Sequence, residues 1–189
     1  MTKDKTRKEL SQRLDGLSDR DIFLKSFAAC EVLCATDEFK KAQSLMTYLA
    51  MPKELDTSQA NLQAFRQDKT VVIPRVLWDD RELEPVVIYT LNCPMEISRY
   101  GLRNPSGTEI MDVARIDMVV VPGLGFDEYG DRLGRGAGFY DRFLASHDFK
   151  GIRCGLAFED QLADSIPVDE HDMRLDMLVT DQQVRHFKK

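Results

Sequence analysis

The chain has 189 residues, 43% hydrophobic and 31% charged, a size and balance ordinary for one soluble globular domain with a real core. A formal net charge of −6 argues against general nucleic-acid binding, while leaving a nucleotide possible wherever local charge allows it. There is no apolar run long enough to span a membrane, and the first residues are basic and polar rather than a secretion signal, so a cytoplasmic protein with no membrane or nucleic-acid partner is expected.

Residues 3–17 read as a helix. Leu10, Leu14 and Leu17 recur at helical spacing behind a basic head of Lys3, Lys5, Arg7 and Lys8. Cations at a helix N-terminus work against its dipole, so this head is either a solvated terminus or a set of charges that meets something negative. Ser18 has the look of a cap for a second helix, with Phe23, Phe27, Cys30 and Cys34 along one face. Thr36 or Asp37 caps a short third piece. Residues 44–49 read as a strand, ending at Met51-Pro52. Residues 53–57 are then a polar loop into a helix over 58–67. A loop leaving the carboxyl end of a strand is where open α/β sheets hold ligands. By themselves, though, Met51, Glu54 and Asp56 read as a solvated turn with a helix cap.

Residues 70–73 form a β-branched strand stopped by Pro74, and 86–91 form another. The polar stretch 75–84 between them, with the single tryptophan Trp78, is a hairpin-like excursion. Residues 95–98 read as a short helical turn and 100–108 as a long loop, in which Tyr100 and Asn104-Pro105 either lie over a flat ligand or fill a surface crease. Residues 116–121 and 152–158 are further strands, with a helix over 139–147 between them. Residues 164–172 are acidic and irregular, and 177–180 make a last short strand before a charged tail. Strands alternating with helices imply crossover connections. The expected fold is α/β, a single domain over residues 1–189, with a mostly parallel open sheet and helices on both faces. Cys30, Cys34, Cys93 and Cys154 include no Cys-x-x-Cys pair and read as reduced core cysteines; His147, His171 and His186 are scattered and suggest no metal cluster.

The chain is organised around VVVPGLGFDEYGDRLGRGAGFYDRFL, residues 119–144. A buried strand ends at Pro122. Gly123, Gly125 and Gly130 follow, then Gly134, Gly136 and Gly138 at every second position, then a helix start. A strand, a glycine-rich turn and a helix N-terminus together make an anion site, and Arg132 and Arg135 add guanidinium forks that suit phosphate oxygens. Glycine and charge alone describe a tight basic surface turn equally well. Asp141, about one helical turn past the loop, favours the anion site because it can hold a hard cation against a bound phosphate. The stretch is neither a P-loop nor the dinucleotide fingerprint, since no Gly-Lys-Ser/Thr follows and the glycine spacing differs.

At Pro122-Gly123-Leu124-Gly125-Phe126-Asp127, Gly130, and the run from Arg132 through Asp141, the chain resembles the 5-formyltetrahydrofolate cyclo-ligase family, also called 5,10-methenyltetrahydrofolate synthetases. The resemblance extends to the N-terminal helix, the loop after Tyr48 and the Asp172 region. It implies ATP-dependent cyclisation of 5-formyltetrahydrofolate to 5,10-methenyltetrahydrofolate, with ADP and phosphate released after phosphorylation of the formyl oxygen. It further implies that Lys3, Arg7, Arg132, Leu133, Gly134, Arg135, Gly136, Ala137, Gly138, Phe139 and Tyr140 meet ATP. Met51, Glu54, Asp56, Tyr100, Arg135, Gly136, Ala137, Gly138 and Phe139 would meet the folate, and Asp141 and Asp172 would hold Mg2+. Arg135 and Tyr140 are the implied catalytic residues, and a monomer or weak dimer is expected. Three positions depart from the family pattern. Ala137 falls where lysine or glycine is frequent, Phe139 where a tyrosine is common, and Asp56 where some members carry glutamate.

Overall fold

The β-branched and aliphatic runs assemble a seven-stranded sheet in the computed structural model, which describes residues 2–187. Ahead of the glycine-rich stretch the elements are α1 (Lys3–Asp15), α2 (Asp19–Ala35), α3 (Asp37–Lys41), β1 (Ser44–Met46), α4 (Ser58–Arg66), β2 (Thr70–Leu77), β3 (Glu82–Ile88), β4 (Met95–Ile97) and β5 (Arg103–Pro105). After them come β6 (Met118–Val121), β7 (Gly125–Phe126), β8 (Arg132–Leu133), α5 (Phe139–Leu144), β9 (Ile152–Ala157), β10 (Met177–Thr180) and β11 (Val184–His186). The sheet order is β11-β10-β9-β6-β1-β2-β3. The five inner strands are parallel, and β11 and β3 close the two edges antiparallel.

Inside each inner strand the side chains alternate between two cores, as a strand buried on both faces requires. Leu45, Val71, Ile73, Met118 and Val120 face the core of α1, α2 and α4, which supply Leu10, Leu14, Ala29, Cys30, Leu33, Ala60 and Ala64. Met46, Val72, Val119 and Val121 face the opposite core with Phe143 and Leu144 of α5. Burial of each of those two α5 side chains contributes about 1.5–3 kcal/mol, enough to seat a helix of only six residues. β1 lies between β2 and β6, so the chain leaves it to one side first and to the other later. The loops after β1 and β6 therefore part at their carboxyl ends and open a crevice.

Several local expectations give way to pairing that sequence neighbours cannot show. β2 does not stop at Pro74; it continues to Leu77, with Pro74 opposite Pro85. β1 pairs β2 only through Thr70, Val71 and Val72, and Pro85 turns its carbonyl away from β2 to accept from Met111. Neither missing amide is needed for the ladder. Residues 95–98 are not a helical turn: β4 pairs antiparallel with β5, and the expected loop at 100–108 contains that partner strand. β3 ends at Ile88, α5 at Leu144, and β11 follows the strand expected to be last.

The buried stripe of α2 is Ser26, Ala29, Cys30 and Leu33, whereas Phe23 and Phe27 are 69% and 48% exposed. Ala29 and Cys30 share one core with Ala60 and Ala64 of α4, and side chains that small let two helices pack closely. The glycine-rich stretch also divides. Its first half folds into the β7–β8 hairpin, and only residues 134–138 form an open loop.

Candidate active site

The hairpin is built to be rigid. Asp127 is 1% exposed and accepts three backbone N–H groups: those of Tyr129 and Asp131 on one oxygen and that of Ile166 on the other, at 2.9, 3.0 and 2.8 Å. A methyl on Gly125 would stand 2.3 Å from a Leu10 methyl, so the missing side chain is what lets α1 lie across the hairpin. Beyond β8 the chain opens. Gly136 and Gly138 have φ of 104° and 69°, conformations that side chains resist.

These elements enclose a cavity of about 740 Å³. At one end α1 reaches over the loop. Arg7 donates from Nε to the carbonyl of Gly134 at 3.1 Å and pairs with Asp4 at 2.6 Å. Lys3 pairs with Asp169 at 2.7 Å and with Asp172. Burial lowers the affinity of Lys3 for its proton, but hydrogen bonds to Asp169 and Asp172 outweigh it and the group titrates above its ordinary value. Asp172 mirrors this: burial pushes it up, and the Lys3 ammonium holds it below the usual carboxylate range. Across the cavity, Arg135 donates to Glu54 at 2.8 Å, and the other Glu54 oxygen accepts the amide of Met51 at 3.0 Å. The loop after β1 and the loop after β8 are thereby bridged.

Arg132 lies under the loop. Its side chain is 4% exposed and donates to the Pro122 carbonyl at 3.1 Å and to Asp141 at 2.8 Å, with the guanidinium 5.8 Å from the Tyr140 ring. Arg132 Nε and the Tyr140 hydroxyl are buried without a hydrogen-bond partner, the kind of orphaned polar atom that marks a site awaiting a ligand. Burial, with the Glu54 carboxylate adding to it, drives Tyr140 well above the ordinary phenol range, so it is a proton-bearing donor at neutral pH.

The other end of the cavity is aromatic. Trp78, at the tip of the β2–β3 hairpin, meets Phe139 edge-on at 5.3 Å and Tyr100 at 5.6 Å, and its indole N–H donates to Ser98 at 3.0 Å. Tyr100 is held at φ 60° and is 80% exposed.

Of the site residues that the resemblance implies, all but Asp56 line this one cavity, as does Asn104 but not Pro105. Asp56 is exposed on the far side of its loop, where its carboxylate binds the amide and hydroxyl of Ser58 at the start of α4. The solvated-turn reading fits Asp56, which does not line the cavity, while the cap position of α4 is Thr57, with no side-chain cap hydrogen bond. Trp78, to which the sequence assigns no role, lines the cavity as well, as do Tyr48 and Asp169. Trp78 arrives at the tip of the β2–β3 hairpin, and Asp169 through its tie to Lys3. Tyr48 was legible only as the residue before the loop.

The family model described as the 5-formyltetrahydrofolate cyclo-ligase family matches residues 1–181. The chain belongs to that family. It is 31% identical over 183 residues to the 5-formyltetrahydrofolate cyclo-ligase of Mus musculus, covering 90% of this chain and 89% of that one. The NMR structure of Aquifex aeolicus 5,10-methenyltetrahydrofolate synthetase matches with a TM-score of 0.84 at 29% identity, over 100% of this chain and 94% of that chain. A Mycoplasma pneumoniae 5,10-methenyltetrahydrofolate synthetase, 22% identical, shares the fold with a TM-score of 0.77.

Against the cyclo-ligase pattern, the three departures have distinct settings here. Ala137 presents its carbonyl to Arg142 at 2.8 Å, Phe139 presents a bare ring edge-on to Trp78, and Asp56 is spent on α4.

Proposed function

We propose that this chain uses ATP to cyclise 5-formyltetrahydrofolate to 5,10-methenyltetrahydrofolate, releasing ADP and phosphate. Beside family membership, one observation carries the reading: a single cavity joins a basic, glycine-lined end to an aromatic end. A polyphosphate and a flat heterocycle each find a complementary wall within reach of the other.

A formamide oxygen does not depart as hydroxide. In this reading it attacks the γ-phosphorus of ATP, and the bond from phosphorus to the ADP oxygen breaks. N10 then adds to the formyl carbon, the carbon–oxygen bond breaks, and the oxygen leaves within phosphate while N10 gives up its proton. Phosphoryl transfer asks a protein mainly for alignment and charge neutralisation. The amides of residues 134–138, with Lys3, Arg7 and Arg135, hold the phosphates. Arg132 and Leu133 support the loop from beneath, and Arg132 adds buried positive charge. Arg135 exchanges Glu54 for a phosphate oxygen, which frees the Glu54 carboxylate for N–H groups of the folate. Tyr140 offers its unpaired hydroxyl as a donor. Met51, Tyr100 and Phe139 bound the folate, with Trp78 completing that wall.

Magnesium fits as an ion carried by the nucleotide. Asp141 and Asp172 both line the cavity, and Mg2+ usually takes one or two carboxylates plus phosphate oxygens and water. Among the described residues no cluster of three or more His, Cys, Asp or Glu side chains forms a protein-only cage. When bound, the ion neutralises charge on the transferring phosphates. Action as a monomer or weak dimer is part of this proposal. The four free cysteines favour a reducing, cytoplasmic setting.

Incubation with 5-formyltetrahydrofolate, ATP and Mg2+ tests the reading. The methenyl chromophore is expected with ATP and absent without it. Binding of both ligands with no chromophore would contradict it.

A further inference from the structure

Arg142 stands in the last turn of α5 and does not line the cavity. Its side chain runs back toward the helix N-terminus, as helical side chains do. Nη2 donates to the carbonyl of Ala137 and Nε to the carbonyl of Arg81, both at 2.8 Å. The guanidinium lies 5.6 Å over the Phe139 ring, and a methyl on Gly138 would stand 3.0 Å from Nη1. Arg81 closes the turn between β2 and β3, in the left-handed region at φ 57°. Three residues before it, Trp78 carries the aromatic wall. One guanidinium thus joins the loop of residues 134–138 to the hairpin that holds Trp78.

We propose that Arg142 is a positioning residue for the reaction. It holds the phosphate-binding loop and the aromatic wall at a fixed separation, and so sets the distance between the two substrates. The proposal rests on the function argued above. It also follows from the chemistry of the side chain. A planar fork can serve two carbonyls at a set angle, whereas an ammonium is a point donor with no fixed plane. Both carbonyls lie on exposed residues, where water can replace a lost donor. Removing Arg142 therefore leaves the fold intact and loosens the geometry, and small misplacements are costly to catalysis.

The full chain is purified as wild type, Arg142→Ala and Arg142→Lys. Three quantities are measured: kcat with KM for each substrate, ligand-free emission of Trp78, the only tryptophan, and Tm. Arg142→Ala is expected to lower kcat about tenfold and to change Trp78 emission, while Tm stays within about 3 °C. Arg142→Lys keeps the charge but not the fork, and is expected to resemble Arg142→Ala. Full recovery of kcat in Arg142→Lys would overturn the proposal, because charge alone would then suffice. Wild-type kcat and emission in Arg142→Ala would overturn it as well. A wild-type chain that forms no chromophore would instead overturn the functional reading, and variant Trp78 emission would still decide whether the tether exists.

Discussion

Two adjacent glycine-rich stretches share a composition and do opposite work. In the β7–β8 hairpin, glycine permits close packing: Gly125 lies under Leu10, and buried Asp127 locks the turn through three backbone amides. In residues 134–138, glycine permits an open backbone, with Gly136 and Gly138 at positive φ and Arg7, Arg135 and Arg142 around them. A hairpin tied by the hydrogen bonds of a buried carboxylate carries an open loop whose amides, in the proposed function, meet phosphate. Substitutions in the first stretch should therefore register as stability, and substitutions in the second as ATP use.

The sharpest break of that contrast is Asp127→Ala. Three backbone N–H groups lose their acceptor, that of buried Ile166 among them, which costs on the order of 3 kcal/mol. Tm should fall by about 6–12 °C, while kcat per folded molecule at low temperature stays near wild type. Arg135→Ala should do the reverse. An arginine–phosphate hydrogen bond is worth roughly 1.5–3 kcal/mol, so kcat/KM for ATP should fall by about one to two decades at unchanged Tm. Unchanged ATP kinetics would remove the loop from phosphate binding.

Asp141→Asn sits between the two classes, because Asp141 anchors buried Arg132 as well as facing the cavity. Activity should fall and the Mg2+ titration should shift; an unaltered titration would exclude a metal role there. Gly125→Ala and Gly136→Ala compare like with like. The first overpacks against Leu10 and the Gln161 carbonyl and should cost about 1–3 kcal/mol of stability. The second puts a side chain at φ 104°, so it should raise KM for ATP severalfold and also lower Tm by a few degrees through backbone strain.

The smallest effect concerns the ion pair of Lys3 and Asp172. The folded-state value of Asp172 is depressed, so its stabilisation is present above the unfolded value near ~3.9 and is lost as pH falls through the folded value. Lys3 is raised, so its share is present below its unfolded value near ~10.4 and lost above the folded one. The Tm gap between wild type and Asp172→Asn, about 3 °C or less, should be full at neutral pH and close on acidification below the carboxylate range.

How much of this was legible beforehand follows from how local each signal is. The parallel sheet showed in the β-branched runs at 70–73 and 119–121, and the loop showed in its alternating glycines and arginines. Residues 134–141 could be located from chain neighbours alone. What stayed hidden depended on distant partners. Pro74 continues a strand because neither its missing amide nor that of Pro85 falls where the ladder needs one. Residues 95–97 are extended because β5 pairs with them. Trp78 enters the cavity because a hairpin carries it there. Phe23 and Phe27 had the spacing of a buried face, but the helix turned its smaller residues inward to meet α4. Arg132 looked like a loop cation and is a buried support, a distinction that only the positions of Pro122 and Asp141 reveal.

The most direct test is a backbone amide NMR titration with ATP and Mg2+. If residues 134–138 grip the terminal phosphates, their resonances should shift most, with Arg7 following and residues 123–131 nearly still. Largest shifts in the hairpin, or anywhere away from residues 132–141, would contradict the assignment.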